Sequence, residues 1–481
     1  MKPTDPFFTL KQSLEGDVYT DQVQKVIYAT DASAYREIPM AVSRPKNKED
    51  IRKIIHFARQ IGTSVIPRAG GTSLAGQVVG SGIVVDISKY LNKIGEINIE
   101  ERWIEVEPGV ILAELNQFLA AHGLQFAPET STANRCCIGG MLGNNSCGLH
   151  SLIYGSTREH ILEVEGILSD GSEVTFKAMA TQEFQAKCSG NPDLLETKIY
   201  QNIDELLSDP FNQEQIRMEF PEPKVTRRNN GYALDMLLET NPFTQNGKAF
   251  NFCKLLAGSE GTLLFVTKIR LNLVPLPPKF QGLVCAHFNS LEDALLGNIV
   301  ALRHAPDAIE MTDEIILNCT LENIEQRKNR FFIEGNPKAI LTIEFSSNSL
   351  EEIQEKAKNL EEDLLKEGYG YHFPLFTEKE EIRKIWELRK AGLGLLSNIP
   401  GKKRSVTVVE DTAVAPANLP FYIREFNQII GKYGLSCVYY GHIATGELHL
   451  RPLLNLKDPD DVRIFHSLAK GKYEIKLHKN L

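Results

Sequence analysis

The sequence predicts an α+β protein of two domains, and three observations support this fold class. The chain of 481 residues is too long for one ordinary core, at roughly 100–200 residues per domain. In its first part, helix and strand patterns alternate with turns built almost wholly from small residues. Beyond the proline-rich segment at residues 274–280, alternating strands and strongly capped helices are typical of an α+β domain with an antiparallel sheet.

Composition excludes several classes of function. A net charge of -9 argues against nucleic acid as a partner, because phosphate binding needs a basic surface. The eight cysteines form no Cys-x-x-Cys pair, which argues against a zinc or iron–sulfur site built from cysteine alone. The N-terminus lacks an apolar signal segment, and no stretch approaches the ~20 apolar residues of a membrane span. We therefore expect a cytoplasmic protein, at most peripheral to a membrane, with no transmembrane segment.

The elements before the first turn follow from local signals. Residues 1–40 are expected to form a helical lead-in. A helix is predicted over Lys48–Ile61, capped by Asn47 and ended by Gly62, because apolar residues recur on one face. A short β-branched strand follows at residues 63–66, then a turn of small residues at 68–76, then a second strand that ends at Asp86.

The turn at residues 68–76 has the chemistry of a phosphate loop. Gly70 and Gly71 permit unusual backbone angles, so successive N–H groups can converge on an anion, and Thr72 and Ser73 add hydroxyls. It lacks the Gly-Lys-Ser/Thr ending of a nucleoside-triphosphate loop, and it leads into a strand, unlike the glycine fingerprint of nicotinamide cofactors. The alternative is a tight turn between two strands.

Two further turns of small residues argue against the interpretation of residues 68–76 as a simple tight turn between strands. Pro128–Gly148 is rich in glycine, serine and asparagine, and residues 258–267 form a third such turn that runs into a strand. A hairpin is predicted at Asp170–Gly171, and residues 185–230 are expected to form an irregular surface insertion. Three turns are more than one phosphate requires, whereas a dinucleotide with a pyrophosphate, a ribityl chain and a wide ring would use them all.

The second domain carries strong helix signals and one pair of histidines. Capping boxes are predicted at Ser349 with Glu352 and at Thr377 with Glu380, and a helix is predicted at about 418–433. His442 and His449 are spaced symmetrically about residues 445 and 446, so a hairpin there would place their imidazoles opposite each other, ~5 Å apart. Such a pair can hold a divalent ion or relay protons, although each could be an ordinary half-buried histidine.

These motifs carry a family resemblance. PRAGGTSLAGQ, IGGMLGNNSCG and GSEGTLLFVT, in this order, resemble the FAD-binding (PCMH-type) domain of the vanillyl-alcohol oxidase superfamily, in its D-lactate and D-2-hydroxyglutarate dehydrogenase branch. DASAYREIP upstream and GHIATGELHLRP downstream extend the resemblance over nearly the whole chain. It implies a two-subdomain FAD-binding domain at 41–274, followed at 280–481 by an α+β substrate or cap domain with an antiparallel sheet.

The resemblance also implies cofactor-binding residues. Those expected to bind FAD are Pro67, Arg68, Ala69, Gly70, Gly71, Thr72, Ser73, Gln77, Pro128, Thr132, Ile138, Gly139, Gly140, Asn144, Ser146, Gly148, Glu260 and Val266. Relatives with covalent flavin use a histidine where this chain has Thr72 and Ser73, so we expect non-covalent FAD, with a thioether to Cys136 or Cys137 as the alternative.

Substrate chemistry is implied in the same way. The resemblance predicts oxidation of a D-2-hydroxy acid by hydride transfer to the flavin, with a quinone or an iron–sulfur protein or domain as electron acceptor, and it allows a homo-oligomer. His442 and His449 would hold a divalent metal such as zinc, and Arg389 would contact substrate, although its spacing alone favours a solvated helix charge. Arg451 would be a second anchor, where relatives often have asparagine.

The C-terminal part departs from the family pattern. Relatives continue into a Gly-Glu-His-Gly segment that completes the metal site and supplies the base, and the long relatives then add an iron–sulfur domain. After His449 the only histidines are His466 and His478, and no Glu-His pair follows. A chain truncated at its C-terminus is therefore expected. Two alternatives to a D-2-hydroxy acid dehydrogenase stay open: a truncated or split flavin-binding subunit with little catalysis of its own, or an FAD oxidoreductase for another alcohol.

Overall fold

The computed structural model describes residues 6–228 and 231–479 of the chain. Two compact units divide it. The first comprises Met1–Cys147, Gly155–Pro221 and Asn229–Leu276, and the second comprises Gly148–Tyr154, Glu222–Arg228 and Pro277–Leu481. Within the described residues, we find no helix with both the length and the apolar character needed to cross a membrane.

Helices occur throughout both units. In chain order they are α1 (Phe8–Ser13), α2 (Gln22–Ile27), α3 (Lys48–Ile61), α4 (Leu112–Ala120), α5 (Ile138–Asn144), α6 (Ser151–Tyr154), α7 (Thr181–Cys188), α8 (Leu195–Ser208), α9 (Pro210–Glu219), α10 (Leu234–Leu238), α11 (Cys253–Leu256), α12 (Leu291–Leu302), α13 (Glu314–Glu322), α14 (Ile324–Arg327), α15 (Leu350–Glu367), α16 (Lys379–Leu396), α17 (Leu419–Lys432) and α18 (Pro459–Lys479).

The strands are mostly short in the first unit and longer in the second. In chain order they are β1 (Asp17–Tyr19), β2 (Ala41–Arg44), β3 (Val65–Arg68), β4 (Ile83–Asp86), β5 (Ile94–Asn98), β6 (Trp103–Val106), β7 (Leu124–Gln125), β8 (Ile161–Ile167), β9 (Glu173–Lys177), β10 (Phe265–Asn272), β11 (Val274–Pro275), β12 (Phe280–Phe288), β13 (Ala308–Asp313), β14 (Ala339–Ser347), β15 (Leu375–Phe376), β16 (Arg404–Ser405), β17 (Val409–Ala413), β18 (Cys437–Gly441) and β19 (Glu447–Leu454).

The first sheet of the first unit has the order β1-β2-β4-β3, and β2, β4 and β3 run parallel. Helix α3 packs on it and has the predicted bounds. The Asn47 side chain accepts a hydrogen bond from Asp50 N at 2.9 Å, and Gly62 ends the helix at a φ of 68°. The face with Ile51 and Ile54 is fully buried.

The second sheet of this unit is antiparallel, with the order β5-β6-β10-β8-β9. Its β8–β9 connection is the predicted hairpin, and Gly171 adopts a φ of 89° in the turn. Buried Ile104, Val164 and Ile269 form part of the core on this sheet. The third small-residue turn leads into β10 as expected, so this turn is fixed at one end by a central strand.

Two expectations for the first unit were wrong in part. The lead-in at residues 1–40 is not wholly helical, because β1 pairs antiparallel with β2, and residues 1–5 lie outside the described part. The expected irregular insertion at 185–230 holds the helices α8 and α9 instead; residues 229 and 230 lie outside the description. Tyr200 and Leu207 of α8 are fully buried, so apolar packing orders a segment whose composition is polar.

The second unit confirms the predicted antiparallel sheet. Eight strands form it, with the order β15-β12-β14-β13-β18-β19-β16 and with β17 paired to β19. Buried side chains of α12, α15 and α17, including Leu295, Leu360 and Phe426, pack in its core.

The predicted N-cap of α15 at Ser349 is confirmed, but its capping box is incomplete, because Ser349 N donates to Ser347 Oγ and Glu352 Oε2 accepts from that same hydroxyl. The capping of α16 was predicted incorrectly. Ser349 Oγ accepts a hydrogen bond from Glu352 N at 3.3 Å, and Gly368 ends α15 with a φ of 83°. The N-cap of α16 is Glu378, not Thr377, and no side chain caps it. The helix therefore begins one residue later than the Thr377 capping box requires, which is within the usual uncertainty of helix ends.

Candidate functional site

A cleft in the first unit brings the three small-residue turns together. The space that it encloses together with the solvent at its open mouth amounts to about 1030 Å³. It is lined by Pro67, Arg68, Ala69, Gly70, Gly71, Thr72, Ser73, Gln77, Val78, Ile87, Pro108, Thr130, Thr132, Cys136, Cys137, Gly139, Gly140, Met141, Leu142, Gly143, Asn144, Ser146, Leu256, Ser259, Glu260, Gly261, Leu264, Phe265 and Val266.

Most of the predicted cofactor residues line this cleft, and three do not. Ile138 is fully buried in the core of the unit, and Pro128 is also buried. Gly148 belongs to the second unit, where its carbonyl oxygen accepts a hydrogen bond from Arg227 at 3.3 Å. The sequence reasoning missed the apolar wall, which includes Leu264 and Phe265, because an apolar residue beside a strand looks like ordinary core.

Glycines in the cleft permit close approach of backbone segments. A Cβ on Gly70 would lie 2.5 Å from Arg135 O, and one on Gly139 would lie 2.5 Å from Pro108 Cβ. Gly71 has a φ of 62°, which other residues rarely adopt. The turn after β3 and the first turn of α5 therefore lie against their neighbours with no room for a side chain, which leaves main-chain groups at the cleft surface.

Hydrogen bonds tie the three turns to one another. Gln77 Nε2 donates to Asn144 Oδ1 at 2.9 Å and to Glu260 Oε1 at 2.8 Å, so one side chain from each turn meets at one point. Glu260 N also donates to Gly143 O at 2.8 Å. The cleft is thus one connected structure. Its lining of main-chain groups and small side chains suits a phosphate-bearing ligand.

The thiols in the cleft are buried. Cys136 and Cys137 are 5% and 2% exposed. Burial, with a smaller effect of the neighbouring Cys136, raises the pKa of the Cys137 thiol to about 12. Since the thiolate is the nucleophile, neither cysteine is suited to form a thioether at neutral pH.

The second unit contains a cluster of ionisable side chains around β18 and β19. The predicted hairpin exists, but its register pairs His449 with Tyr440, so the two histidines are not directly opposite each other as expected. The turn contains a short 3-10 helix at Ile443–Thr445, and Gly446 follows with a φ of 73°. This turn shifts the register, yet the imidazole ring centres of His442 and His449 lie 5.4 Å apart.

A third potential metal ligand completes the pair. Ligand atoms of His442, Glu447 and His449 all lie within 4.8 Å of one another, and two histidines with one carboxylate suit a divalent metal such as zinc. Glu447 is 1% exposed and forms an ion pair with Arg227. The sequence reasoning missed Glu447, although its position two residues before His449 on a strand places both side chains on one face.

Glu310 on β13 links two of the predicted site residues. Its Oε1 lies 2.5 Å from His442 Nδ1, and its Oε2 lies 2.5 Å from Arg389 Nη2. Burial raises the pKa of this carboxyl, but the charges and hydrogen bonds of His442 and Arg389 outweigh it and hold the pKa at about 2. Burial lowers the pKa of His442 to about 4, against the opposing effect of Glu310.

Two arginines lie on the ring of Tyr440. The guanidinium carbon of Arg389 is 5.2 Å from the ring centre, and that of Arg451 is 5.4 Å from it. Arg451 is 3% exposed and the Arg389 side chain is 14% exposed. The interpretation of Arg389 as a solvated helix charge was therefore wrong. The cluster combines imidazole and carboxylate groups with planar cations that can bind a carboxylate in two-point fashion.

Comparisons with known proteins agree with both units. Residues 39–177 match the family model for an FAD binding domain, and residues 277–471 match that for the C-terminal domain of FAD linked oxidases. The chain is 32% identical over 478 residues to D-2-hydroxyglutarate dehydrogenase of Haemophilus influenzae, covering 96% of this chain and 46% of that protein. It is 24% identical to D-lactate dehydrogenase of Archaeoglobus fulgidus, covering 91% and 83%.

Solved structures show the same fold. 4-Ethylphenol oxidase from Gulosibacter chungangensis superposes with a TM-score of 0.66 at 14% sequence identity, covering 98% of this chain and 87% of the other. The chain spans about half the length of the D-2-hydroxyglutarate dehydrogenases it matches at 32–33% identity. The chain thus carries an FAD binding domain and the C-terminal domain of FAD linked oxidases, and it is similar to D-2-hydroxyglutarate and D-lactate dehydrogenases.

Proposed function

We propose that this chain is an FAD-linked dehydrogenase that oxidises a D-2-hydroxy acid, either D-2-hydroxyglutarate or D-lactate. The observation that carries the proposal is the cluster of His442, Glu447 and His449 in a chain that also has an FAD binding domain. A 2-hydroxy acid presents a carboxylate and a neighbouring hydroxyl, and the cluster has groups for both. The names of the relatives support the same substrate class.

In this proposal the arginines bind and orient the substrate. Arg389 and Arg451, which share the Tyr440 ring, would hold the carboxylate through charge-assisted hydrogen bonds. When no metal is bound, an imidazole of His442 or His449 would accept the hydroxyl proton through a ring nitrogen that carries a lone pair. FAD, when bound in the first unit, would accept the hydride from the α-carbon, and a quinone or an iron–sulfur protein would then take the electrons.

The proposal includes a metal held by His442, Glu447 and His449. Their ligand atoms lie close enough together, and the donor set suits zinc. A bound zinc ion would polarise the substrate hydroxyl. The ion pair between Arg227 and Glu447 resembles the outer hydrogen bonds that ligating carboxylates commonly receive.

We propose that FAD is bound without a covalent link. The resemblance implies that Thr72 and Ser73 replace the histidine of covalent relatives. The cleft thiols are also buried, and the pKa of each is raised. Acid precipitation should therefore release free FAD into the supernatant. Yellow colour that stays with the denatured chain would contradict this.

The test of the dehydrogenase proposal is reduction of the bound flavin. FAD-loaded protein, with zinc supplied, is mixed without oxygen with D-2-hydroxyglutarate or D-lactate, and loss of the visible flavin absorbance is followed. Each L-enantiomer is the matched control. Rapid bleaching by one D-acid alone is expected, and a flavin that stays oxidised with all of them would overturn the proposal.

A second candidate is a flavin-binding subunit with little catalysis of its own. The specific observation in its favour is that both imidazoles of the cluster are potential metal ligands, which would leave neither of them as the base. General-base catalysis contributes ~10²–10⁴-fold, so a chain that needs another part for its base would be slower by that factor. FAD-loaded protein that leaves the D-acids unoxidised would favour this candidate.

A further inference from the structure

Glu310 is a carboxylate buried at the centre of the sheet in the second unit. It is 1% exposed and lies on β13, which pairs with β14 on one side and β18 on the other. Removing a carboxylate from water is strongly unfavourable unless partners compensate for the lost hydration. The proposed function assigns it no role, so its partners have to account for its presence.

Both partners of Glu310 are predicted site residues. One carboxylate oxygen meets His442 Nδ1 and the other meets Arg389 Nη2, each at 2.5 Å. The two residues come from different elements, since Arg389 lies on α16 and His442 follows β18. A single side chain therefore holds an imidazole and a guanidinium in fixed relation to each other.

The geometry determines which nitrogen of His442 carries the proton. The permanent charge of Arg389 on one oxygen favours the ionised carboxylate, and an ionised carboxylate can only accept hydrogen bonds. Nδ1 must then be the donor to Glu310, so Nε2 carries the lone pair. That nitrogen is the one left to bind a metal or to accept a proton.

The same contact orients Arg389. Its Nη2 donates to Glu310, and its guanidinium carbon lies 5.2 Å from the Tyr440 ring centre. Within the described residues, Arg389 Nε is buried and has no hydrogen-bond partner. A buried guanidinium N–H without an acceptor is costly, and the carboxylate of a bound ligand would satisfy it.

We propose that Glu310 is the positioning residue of this site: it fixes His442 as the Nδ1–H tautomer and aims the guanidinium of Arg389. Glu310 itself does not touch the substrate. The part that concerns substrate rests on the proposed function. The tautomer and its effect on metal affinity do not, because they depend only on contacts within the second unit.

The test compares Glu310→Gln with a matched control, Glu344→Gln. Glu344 is also a buried strand carboxylate, 2% exposed, and it contacts His150 Nε2 at 3.0 Å, but neither His442 nor Arg389 is among its partners. Protein labelled with ¹⁵N in histidine distinguishes the two neutral tautomers by NMR, and loss of a signal in His442→Gln assigns it. Binding of Zn²⁺ alone is measured by competition with a chromophoric chelator.

The expected results are specific. Wild-type His442 should be the Nδ1–H tautomer. In Glu310→Gln the amide oxygen should go to the charged Arg389, which leaves the amide NH₂ facing His442 and switches it to the Nε2–H tautomer. Zn²⁺ affinity should then fall by about 10- to 100-fold, the usual effect of losing an outer-shell partner. Glu344→Gln should change neither readout.

Three outcomes decide the matter. An Nε2–H tautomer in the wild type overturns the proposal even if Glu310→Gln fails to fold. An Nδ1–H tautomer that persists in Glu310→Gln, with unchanged Zn²⁺ affinity, also overturns it. If the tautomer switches as expected but no D-2-hydroxy acid reduces the flavin, the role of Glu310 stands and the proposed function fails.

Discussion

Buried charge in the second unit is concentrated on a few side chains that balance one another. Glu310 neutralises Arg389, and Glu447 neutralises Arg227. Burial makes such pairs sensitive to the loss of one partner, because the remaining charge stays out of water. Surface pairs in the same unit, such as Arg383 with Glu380, are solvated and contribute little.

Arg389→Lys should impair substrate binding. Lysine keeps the charge but loses the planar fork that binds a carboxylate through two nitrogens. Loss of one charge-assisted hydrogen bond costs roughly 1.5–3 kcal/mol, so kcat/KM for the D-2-hydroxy acid should fall by roughly 10- to 100-fold, mainly through KM. Arg383→Lys, an exposed arginine on the same helix, is the control and should match the wild type. Equal kinetics for both variants would contradict the role of Arg389.

His287 should make stability depend on pH. It is fully buried, and its Nδ1–H donates to Cys285 O at 2.7 Å while its Nε2 accepts from Glu334 N at 3.2 Å, an arrangement that suits the neutral ring. Burial, with a smaller effect of His372, lowers its pKa from 6.5 to about 4. The unfolded chain therefore binds this proton first as pH falls.

The sign of the effect follows from that difference in pKa. The stabilisation is fully present above pH 6.5 and is lost as pH falls to about 4, a change of about 3 kcal/mol in the free energy of unfolding. In denaturant titrations followed by circular dichroism, His287→Gln should lose less stability across this interval than the wild type. His466→Gln, at an exposed position on α18, is the control. A His287→Gln curve parallel to that of the wild type would contradict the assignment.

At the scale of elements, the first turn of α5 is fixed by its contact with Pro108. Gly139 N donates to Pro108 O at 2.8 Å, which leaves no room for a side chain. The glycines of this motif were predicted from sequence as sites of close backbone approach, but whether they approach a ligand or another segment was not predictable. At Gly139 the neighbouring segment is Pro108 of the protein itself. The absence of a side chain at Gly139 therefore lets α5 lie against Pro108, and this contact positions the part of α5 that lines the cleft.

Gly139→Ala should weaken FAD binding. The added methyl would have to displace Pro108, and overpacking of this kind costs about 1–3 kcal/mol, so the Kd for FAD should rise roughly 10-fold or more. Gly431→Ala on α17 of the second unit is the control, because Gly431 does not line the cleft and its Cβ would meet nothing within 4 Å. Both variants are loaded with FAD, and the flavin retained after gel filtration is measured. If both variants retained the same amount of FAD, α5 would accommodate the methyl added at Gly139, and the prediction would be wrong.

At the scale of the whole molecule, FAD is expected to stabilise the fold through the three turns of the cleft. A ligand that binds only the native state adds RT ln(1 + [L]/Kd), or about 2.7 kcal/mol at 100 times Kd. The unfolding temperature should therefore rise with FAD concentration. Riboflavin is the control, since it has the ring and the ribityl chain but no pyrophosphate. An equal rise with riboflavin would contradict pyrophosphate binding by the first turn.

Local sequence determined the elements whose signals lie within a few residues. The cap of α3 at Asn47, its end at Gly62, the β8–β9 turn at Gly171 and the small-residue turns all depend on backbone angles and hydrogen bonds between near neighbours. These signals also carried the family resemblance, and with it the FAD binding domain. They were readable because nothing distant in the chain is needed to form them.

Only the tertiary structure decided which charged residues belong to the site. Glu310 and His442 are separated by 132 positions, and Glu310 and Arg389 by 79. Glu310 has no local signal, because a carboxylate on a strand is ordinarily a solvated residue. Its burial and its two partners arise only when β13, β18 and α16 pack together, since buried ion pairs depend on long-range packing and not on neighbours along the chain.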